Sequence, residues 1–169
     1  MTSDSLYREP YRPQFHFSPA RNWMNDPNGL VYYAGEYHLY FQCNPDDLNW
    51  DWRKLHWGHA ISTDLLHWRE IPLALYPDTT GATLSGSVVV DVENTAGFKT
   101  GINDPLIAIF TSGSEGNSQH PWDAFQQQSI AFSNDRGRTW TPYDGNPVIP
   151  NPGLADFRDP KVFWHAPSA

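Results

Sequence analysis

Residues 59–68 read HAISTDLLHW, and residues 130–140 read IAFSNDRGRTW. Each stretch has a short apolar run, then Ser, one further residue, Asp, and a closing Trp. The second copy begins 71 residues after the first, and Trp68 and Trp140 are 72 apart because one residue is inserted. A pattern that recurs at such a spacing indicates one structural unit used more than once.

Strand patterns surround both copies. In the first half of the chain they are LVYY, YHLYFQ, LHWGHAIS and HWREIP, and in the second half SGSVVVDV, LIAIFTS, QQSIAFS and RTWTPYD. No sustained helical periodicity is found, and 15 Pro and 12 Gly interrupt the chain often. Four strands that repeat about every 65 to 70 residues are typical of a β-propeller blade.

The predicted fold class is therefore all-β, a five-bladed β-propeller of which this chain holds about two and a half blades. Residues 1–14 are predicted to be an N-terminal extension, and residues 15–169 an incomplete propeller domain. Blade one is placed at 24–76, blade two at 83–150 and the start of blade three at 157–169. Because so few blades cannot close a ring, we expect the sequence to be the N-terminal part of a larger protein.

Composition narrows the choice of partners. The net charge of −8 argues against nucleic acid and anionic membrane surfaces. The lone Cys43 excludes an internal disulfide and is expected to serve in packing. No metal is expected, because the seven His show no ligand spacing.

The first 15 residues lack the apolar stretch of a signal peptide, which predicts a cytoplasmic product, or a secreted one if the N-terminus is mis-assigned. The 15% aromatic content suits sugar rings and β-sheet cores alike.

Two Asp-Pro pairs contain candidate catalytic residues. Asp26 lies in NWMNDPNGL, residues 22–30, where DPNG on its own reads as a β-turn. Asp159 lies in FRDP, about two repeat periods later. Each is predicted to lie just before the first strand of its blade, with Ser85 in the matching place of blade two. Equivalent positions of a propeller converge on the central channel, and two carboxylates there suggest glycoside hydrolysis.

The Asp residues of the repeat itself are interpreted differently. The second copy has the form S-x-D-x-G-x-T-W, which resembles the Asp box of some propellers. Asp64 and Asp135 are expected to bind backbone amides in hairpin turns, with the following Trp packing between blades. We do not expect either to be catalytic.

A family resemblance covers the chain from about Tyr11 to His165. The strings WMNDPNG, FQCNP, LSGS, QSIAFSNDRGRTW and FRDPKVFW occur in this order, and together they resemble glycoside hydrolase family 32. That family contains invertases, exo-inulinases, levanases and fructan exohydrolases. The resemblance implies further propeller blades and a β-sandwich after the part present here, a fructose-containing oligo- or polysaccharide as partner, and no cofactor.

The resemblance also implies roles for single residues. Asp26 would be the nucleophile that forms a covalent fructosyl-enzyme, and Asp159 would stabilise the transition state. The residues expected to bind substrate are Trp23, Asn25, Gln42, Trp50, Leu84, Ser85 and Arg158. Leu84 stands where the family commonly has Phe.

The family's general acid has no counterpart in this sequence. In the family it is a Glu in an E-C motif well after the R-D-P. All five Glu of this chain precede Asp159, none in a matching context: Glu9, Glu36, Glu70, Glu93 and Glu115. We therefore expect the 169-residue chain alone to be inactive.

Two alternatives stay open at this point. One is an inverting propeller glycosidase of the arabinan or xylan type, which a carboxylate separation of roughly 6.5 Å or more would favour over about 5 Å. The other is a non-catalytic sugar-binding propeller or a truncated fragment. The N-terminal string YRPQFHFSPARNWMNDPNGL looks closer to exo-inulinases and levanases than to plant invertases. Hydrolase and fructosyltransferase are not separated.

Overall fold

The computed structural model describes residues 7–115 and 124–165. They form two four-stranded antiparallel sheets, each in simple chain order. The first sheet contains β1 (Trp23–Tyr33), β2 (Glu36–Asn44), β3 (His56–Ser62) and β4 (Arg69–Leu75). The second contains β5 (Ala82–Val90), β6 (Leu106–Glu115), β7 (Ala124–Ser133) and β8 (Thr141–Pro142). A single 3-10 turn, Trp52–Lys54, precedes β3 in the described part of the chain.

The first hairpin has a tight two-residue connection. Tyr33 pairs with Glu36, which leaves only Ala34 and Gly35 in the turn. Their φ angles are 49° and 87°. Positive φ at both central residues matches the right-handed twist of the flanking strands, so this turn fixes the register of β1 against β2.

Strand β2 lies at the centre of the core because its side chains alternate between two apolar clusters. Leu39, Phe41 and Cys43 face an outer cluster with Ala60, to which Phe17 of the N-terminal segment adds its ring. Tyr40 faces the opposite way, into a larger cluster. Cys43 is buried there as predicted for a packing residue, and burial raises the pKa of its thiol to about 12.

The larger cluster joins the two sheets. Tyr40 and Trp57 of the first sheet pack with Val88, Leu106 and Phe110 of the second. Strand β1 runs beside β5, and Gly29 marks their closest approach: a Cβ on this residue would lie 2.6 Å from Val88 Cγ2. The first strands of the two sheets are therefore held side by side, which sets the position of everything attached to them.

Two features differ from the sequence prediction. Asp26 was expected before the first strand, but β1 already begins at Trp23 and the DPNG segment lies inside it. The pairing of β1 with β2 is irregular between Met24 and Pro27 and again between Asn28 and Val31. The turn-forming residues thus produce bulges rather than a turn, and bulges redirect side chains out of the ladder.

The second difference is the length of the last strand. RTWTPYD was expected to form a full strand, but β8 has only two residues, Thr141–Pro142. Pro142 has no N–H to give to a ladder, which confines it to the edge of the sheet.

The two repeat turns have the structure expected of them. Asp135 Oδ1 accepts from Thr139 N at 2.9 Å, and Asp64 Oδ1 accepts from His67 N at 2.8 Å. The ring of Trp140 lies edge-on to Tyr40 of the first sheet, with centroids 5.6 Å apart. The turns therefore have the hydrogen bonds expected of Asp64 and Asp135, and Trp140 packs between the sheets as predicted. The prediction is wrong for Trp68, whose ring lies against Phe17 in the outer cluster of the first sheet.

Two successive four-stranded antiparallel sheets confirm the all-β prediction. The start of a third blade stays a prediction: residues 157–165 contain no assigned strand, and 166–169 lie outside the described residues. No helix within residues 7–115 and 124–165 is both long and apolar enough to cross a membrane.

Candidate active site

A cavity of about 360 Å³ opens where β1, β5 and the chain after β8 meet. Eight of the nine residues singled out from the sequence line it. They are Asn25, Asp26, Gln42, Trp50, Leu84, Ser85, Arg158 and Asp159. Residues far apart in the sequence are thus collected at one place.

The ninth residue, Trp23, is not among those that line the cavity. Its indole N–H donates to Asn25 Oδ1 at 2.9 Å, so Trp23 contacts a residue that lines the cavity. This bond fixes the orientation of the Asn25 amide and leaves the Asn25 N–H₂ group as the donor. Trp23 therefore acts on the cavity through Asn25.

Asp26 is held by the neighbouring sheet. Ser85 Oγ donates to Asp26 Oδ2 at 2.8 Å, across the line where β1 meets β5. Both residues, with Asp159, also line an adjoining cavity that follows the two strands past Gly29 and Gly86. Asp26 is therefore accessible and fixed at a junction of two open spaces.

Asp159 is close enough to Asp26 for their charges to interact. Burial raises the pKa of the Asp159 carboxyl, Arg158 opposes that rise, and the negative charge of Asp26 adds to it. Arg158 Nε lies 3.8 Å from Asp159 Oδ2, and the same guanidinium forms an ion pair with Asp156. Three carboxylates and one guanidinium thus share the cavity.

Gln42 supplies a polar group of another kind. Its side chain is only 1% exposed, and Oε1 has no hydrogen-bond partner among the described residues. Buried amide oxygens are nearly always paired in folded proteins. Gln42 is a lining residue of the cavity, although Oε1 itself is shielded from solvent in this structure.

Four lining residues were missed by the sequence analysis: Trp52, Leu55, Gln126 and Asp156. Trp52 follows Trp50 by two residues and Asp156 precedes Asp159 by three, so proximity to the motifs was an available signal. Gln126 had none, because it lies in the part of β7 that precedes the predicted strand. The set includes no Glu.

No group of three or more His, Cys, Asp or Glu suited to a metal ion occurs in residues 7–115 and 124–165. The cavity offers carboxylates, amides and aromatic rings. Carboxylates that share a cavity with apolar rings and amides are suited to acid–base or nucleophilic work on a polyhydroxylated ligand.

Comparison with known proteins agrees with this geometry. Residues 16–169 match the model of the glycosyl hydrolases family 32 N-terminal domain. The chain is 61% identical over 161 residues to a levanase of Bacillus subtilis, covering 95% of this chain and 22% of the levanase. It superposes on the crystal structure of exo-inulinase from Aspergillus awamori with a TM-score of 0.83 and 50% identity, covering 94% of this chain and 34% of that one.

A third similar structure is a fructofuranosidase from Schwanniomyces occidentalis complexed with fructose. It has a TM-score of 0.81 and 46% identity, covering 95% of this chain and 30% of that one. These likenesses, with the two sheets, confirm the predicted fold class. The chain thus spans about a fifth to a third of the length of these relatives.

Proposed function

The chain belongs to glycoside hydrolase family 32, and from that premise we propose that the protein containing it cleaves terminal β-D-fructofuranosides with retention of configuration. The observation that carries the proposal is the meeting of Asp26 and Asp159 in one cavity. A retaining glycosidase uses a nucleophilic carboxylate and a separate general acid on either side of the glycosidic bond. We assign the nucleophile to Asp26, with Asp159 as an additional carboxylate beside the sugar.

Asp26 is proposed as the nucleophile. Its carboxylate attacks the anomeric carbon of the terminal fructosyl unit, the bond from that carbon to the leaving oxygen breaks, and an ester-linked fructosyl-enzyme forms. The hydrogen bond from Ser85 Oγ fixes the position of the attacking carboxylate. Water then attacks the same carbon and gives up a proton to the conjugate base of the general acid, while the bond to Asp26 breaks; this restores the carboxylate and releases fructose with its original configuration.

Asp159 is proposed to stabilise the transition state. The sugar ring gains positive charge as the glycosidic bond breaks, and a nearby carboxylate lowers the energy of that charge. The same carboxylate would accept hydrogen bonds from fructose hydroxyls. Gln42 Oε1 is a second acceptor, and the Asn25 amide is a donor. Trp50 offers an apolar face to the ring carbons.

The leaving oxygen needs a proton, and no Glu lines the cavity. We propose that the general acid is a Glu supplied from outside residues 1–169. A positioned general acid typically contributes about 10² to 10⁴-fold in rate, so the 169-residue chain alone should be essentially inactive.

The proposed substrates are inferred from the names of the similar proteins. The curated relatives include a levanase, an exo-inulinase and an invertase. We propose that the partner of this protein is a fructose-containing oligo- or polysaccharide such as levan, inulin or sucrose, attacked at its terminal fructosyl unit. The 61% identity to the levanase favours levan as the first substrate to test.

The test uses the complete protein that contains this sequence. It is incubated with levan, inulin and sucrose, free fructose is measured, and the anomer released first is identified by NMR. We expect fructose as the main early product, with retained configuration. The Asp26→Asn variant should fold normally and lose at least about 10³-fold in kcat, since covalent catalysis and its charge are both removed.

Two results would contradict the proposal. Release of the inverted anomer would support the arabinan or xylan type of mechanism instead. Full activity of the Asp26→Asn variant would show that Asp26 is not the nucleophile. The Asp144→Asn variant is a matched control, because it changes an exposed carboxylate that does not line the cavity.

A further inference from the structure

Residues 157–162, here called the strap, carry Arg158 and Asp159 but form no strand. Their backbone is held by side chains of the second sheet. Four polar side chains do this, and each is at most 6% exposed: Ser87, Thr111, Gln126 and Gln128. Burying four polar side chains is costly unless each is paired, so their joint use on one segment calls for an explanation.

At the start of the strap, both the N–H and the C=O of Phe157 are hydrogen-bonded by side chains. Gln126 Oε1 accepts from Phe157 N at 2.8 Å. Gln128 Nε2 donates to Phe157 O at 2.6 Å. Two amide side chains from β7 thus replace the pair of hydrogen bonds that a neighbouring strand would provide. The position of Phe157 is therefore fixed by side chains.

Thr111 links this anchor to Asp159. Its Oγ1 accepts from Asp159 N at 3.0 Å and donates to Gln128 Oε1, also at 3.0 Å. Thr111 and Gln128 are 0% and 4% exposed, so the chain of bonds lies out of water. The backbone of Asp159 is thereby tied to β6 through one hydroxyl.

The far end of the strap has its own anchor on β5. Ser87 Oγ donates to Pro160 O at 2.9 Å and accepts from Val162 N at 3.0 Å. Asp159 is therefore bound at its own N–H and flanked by anchors on both sides.

Asp159 needs such support for two reasons. Its φ angle is 60°, in the left-handed region that residues with a Cβ seldom adopt. The negative charge of Asp26 and burial both raise the pKa of its carboxyl, which means that its charged form is disfavoured where it stands. Such a residue keeps its conformation only when several contacts with its surroundings hold it there.

We propose that Thr111 and Gln128 are positioning residues that hold Asp159 against Asp26 in the left-handed conformation required for transition-state stabilisation. The inference rests on the proposed function, because it assigns the network to the same site. It adds two buried residues of β6 and β7 that do not contact the cavity. They act through the backbone of Asp159.

The test compares two Thr→Val variants in the complete protein. Thr111→Val keeps the shape of the side chain but removes both hydrogen bonds to the network. Thr83→Val is the control: Thr83 is 2% exposed, and its hydroxyl donates to Tyr76 O at 3.0 Å, away from the strap. Thr111→Ser, which keeps the hydroxyl, tests rescue. Melting temperature, kcat/KM for fructose release and amide exchange of residues 157–162 are measured in each.

We expect both Val variants to melt at lower temperature. Only Thr111→Val should also lose about 10- to 100-fold in kcat/KM, because small misplacements of catalytic groups have effects of that order. Its strap amides should exchange faster than those of the wild type, and Thr111→Ser should restore both properties. An equal loss of kcat/KM in Thr83→Val, or an unchanged kcat/KM in Thr111→Val, overturns the inference.

Failure of the proposed function gives a different result. If the wild-type protein releases no fructose, the assignment of Asp159 and the role of its anchors both fall. If the wild type is active and Thr111→Val is equally active, only the positioning role falls.

Discussion

Gly29 shows how one residue sets the distance between the two sheets. Its φ is 52°, and a Cβ there would lie 2.6 Å from Val88 Cγ2 and 2.8 Å from Tyr40 Cδ2. The residue follows Asp26 by three positions in β1, so the approach it permits also brings Asp26 to Ser85. A side chain at this point would separate the two sheets exactly where the cavity is built.

The prediction for this residue is that Gly29→Ala is strongly destabilising. The positive φ and the overpacking together should cost about 2 to 4 kcal/mol. Gly35→Ala is the matched control, since Gly35 has φ 87° but nothing within 4 Å of a Cβ. It should cost only about 1 kcal/mol. Urea unfolding of both variants measures the difference, and equal losses would refute the close-approach argument.

At the scale of the element, the two repeat turns allow a comparison within one molecule. In the second turn burial tends to raise the pKa of Asp135, but hydrogen bonds from Thr139 hold it below its ordinary value. In the first turn the backbone N–H of His67, then its side chain, lower the pKa of Asp64. Both carboxylates therefore stabilise the folded state in their charged form.

The second turn should matter more for stability because it also touches the first sheet. Gly137, within it, lies where a Cβ would be 2.5 Å from Tyr40 Oη. We expect Asp135→Ala to cost about 2 kcal/mol of unfolding free energy and the more exposed Asp64→Ala to cost less. Neither should change kcat/KM. A large loss of kcat/KM in either variant, with the fold intact, would mean that the turn serves more than structure.

The elements also show how far sequence reasoning reaches. The repeat and the strand patterns predicted both sheets, because period-2 alternation and hairpin residues act locally. DPNG was misplaced because the same residues that form turns also form bulges, and the choice between them is made by pairing with β2. Gln126 and the anchors of the strap were not predictable, because they are defined by contacts between segments that are tens of residues apart in sequence.

For the whole molecule, the junction of the two sheets contains a buried polar pair. His38 Nδ1 lies 3.0 Å from His59 Nε2, and both rings are 1% exposed. Burial lowers the pKa of both imidazoles, for His59 to about 2, where His38 and Arg138 add to the effect. Glu36 opposes the shift at His38, and Arg138 reinforces it. The junction is therefore built for neutral histidines.

The sign of the resulting pH dependence follows from linkage. An unfolded His has a pKa near 6.5. Below that pH the unfolded chain takes up protons that the folded chain excludes, so the stability of the folded state falls as the pH is lowered. Between pH 7.5 and 5.0 the loss that arises from His59 should be about 2 kcal/mol, and His38 contributes with the same sign. Asp and Glu side chains have ordinary pKa values of about 4, below this range, which keeps their contribution to the slope small. Urea unfolding of the wild type and of His59→Gln across the range tests the prediction. The variant should be less stable at pH 7.5 yet lose less on acidification, whereas His16→Gln, at an exposed position, should retain the wild-type slope. An unchanged slope in His59→Gln would show that acid weakens the molecule elsewhere than at the junction between its sheets.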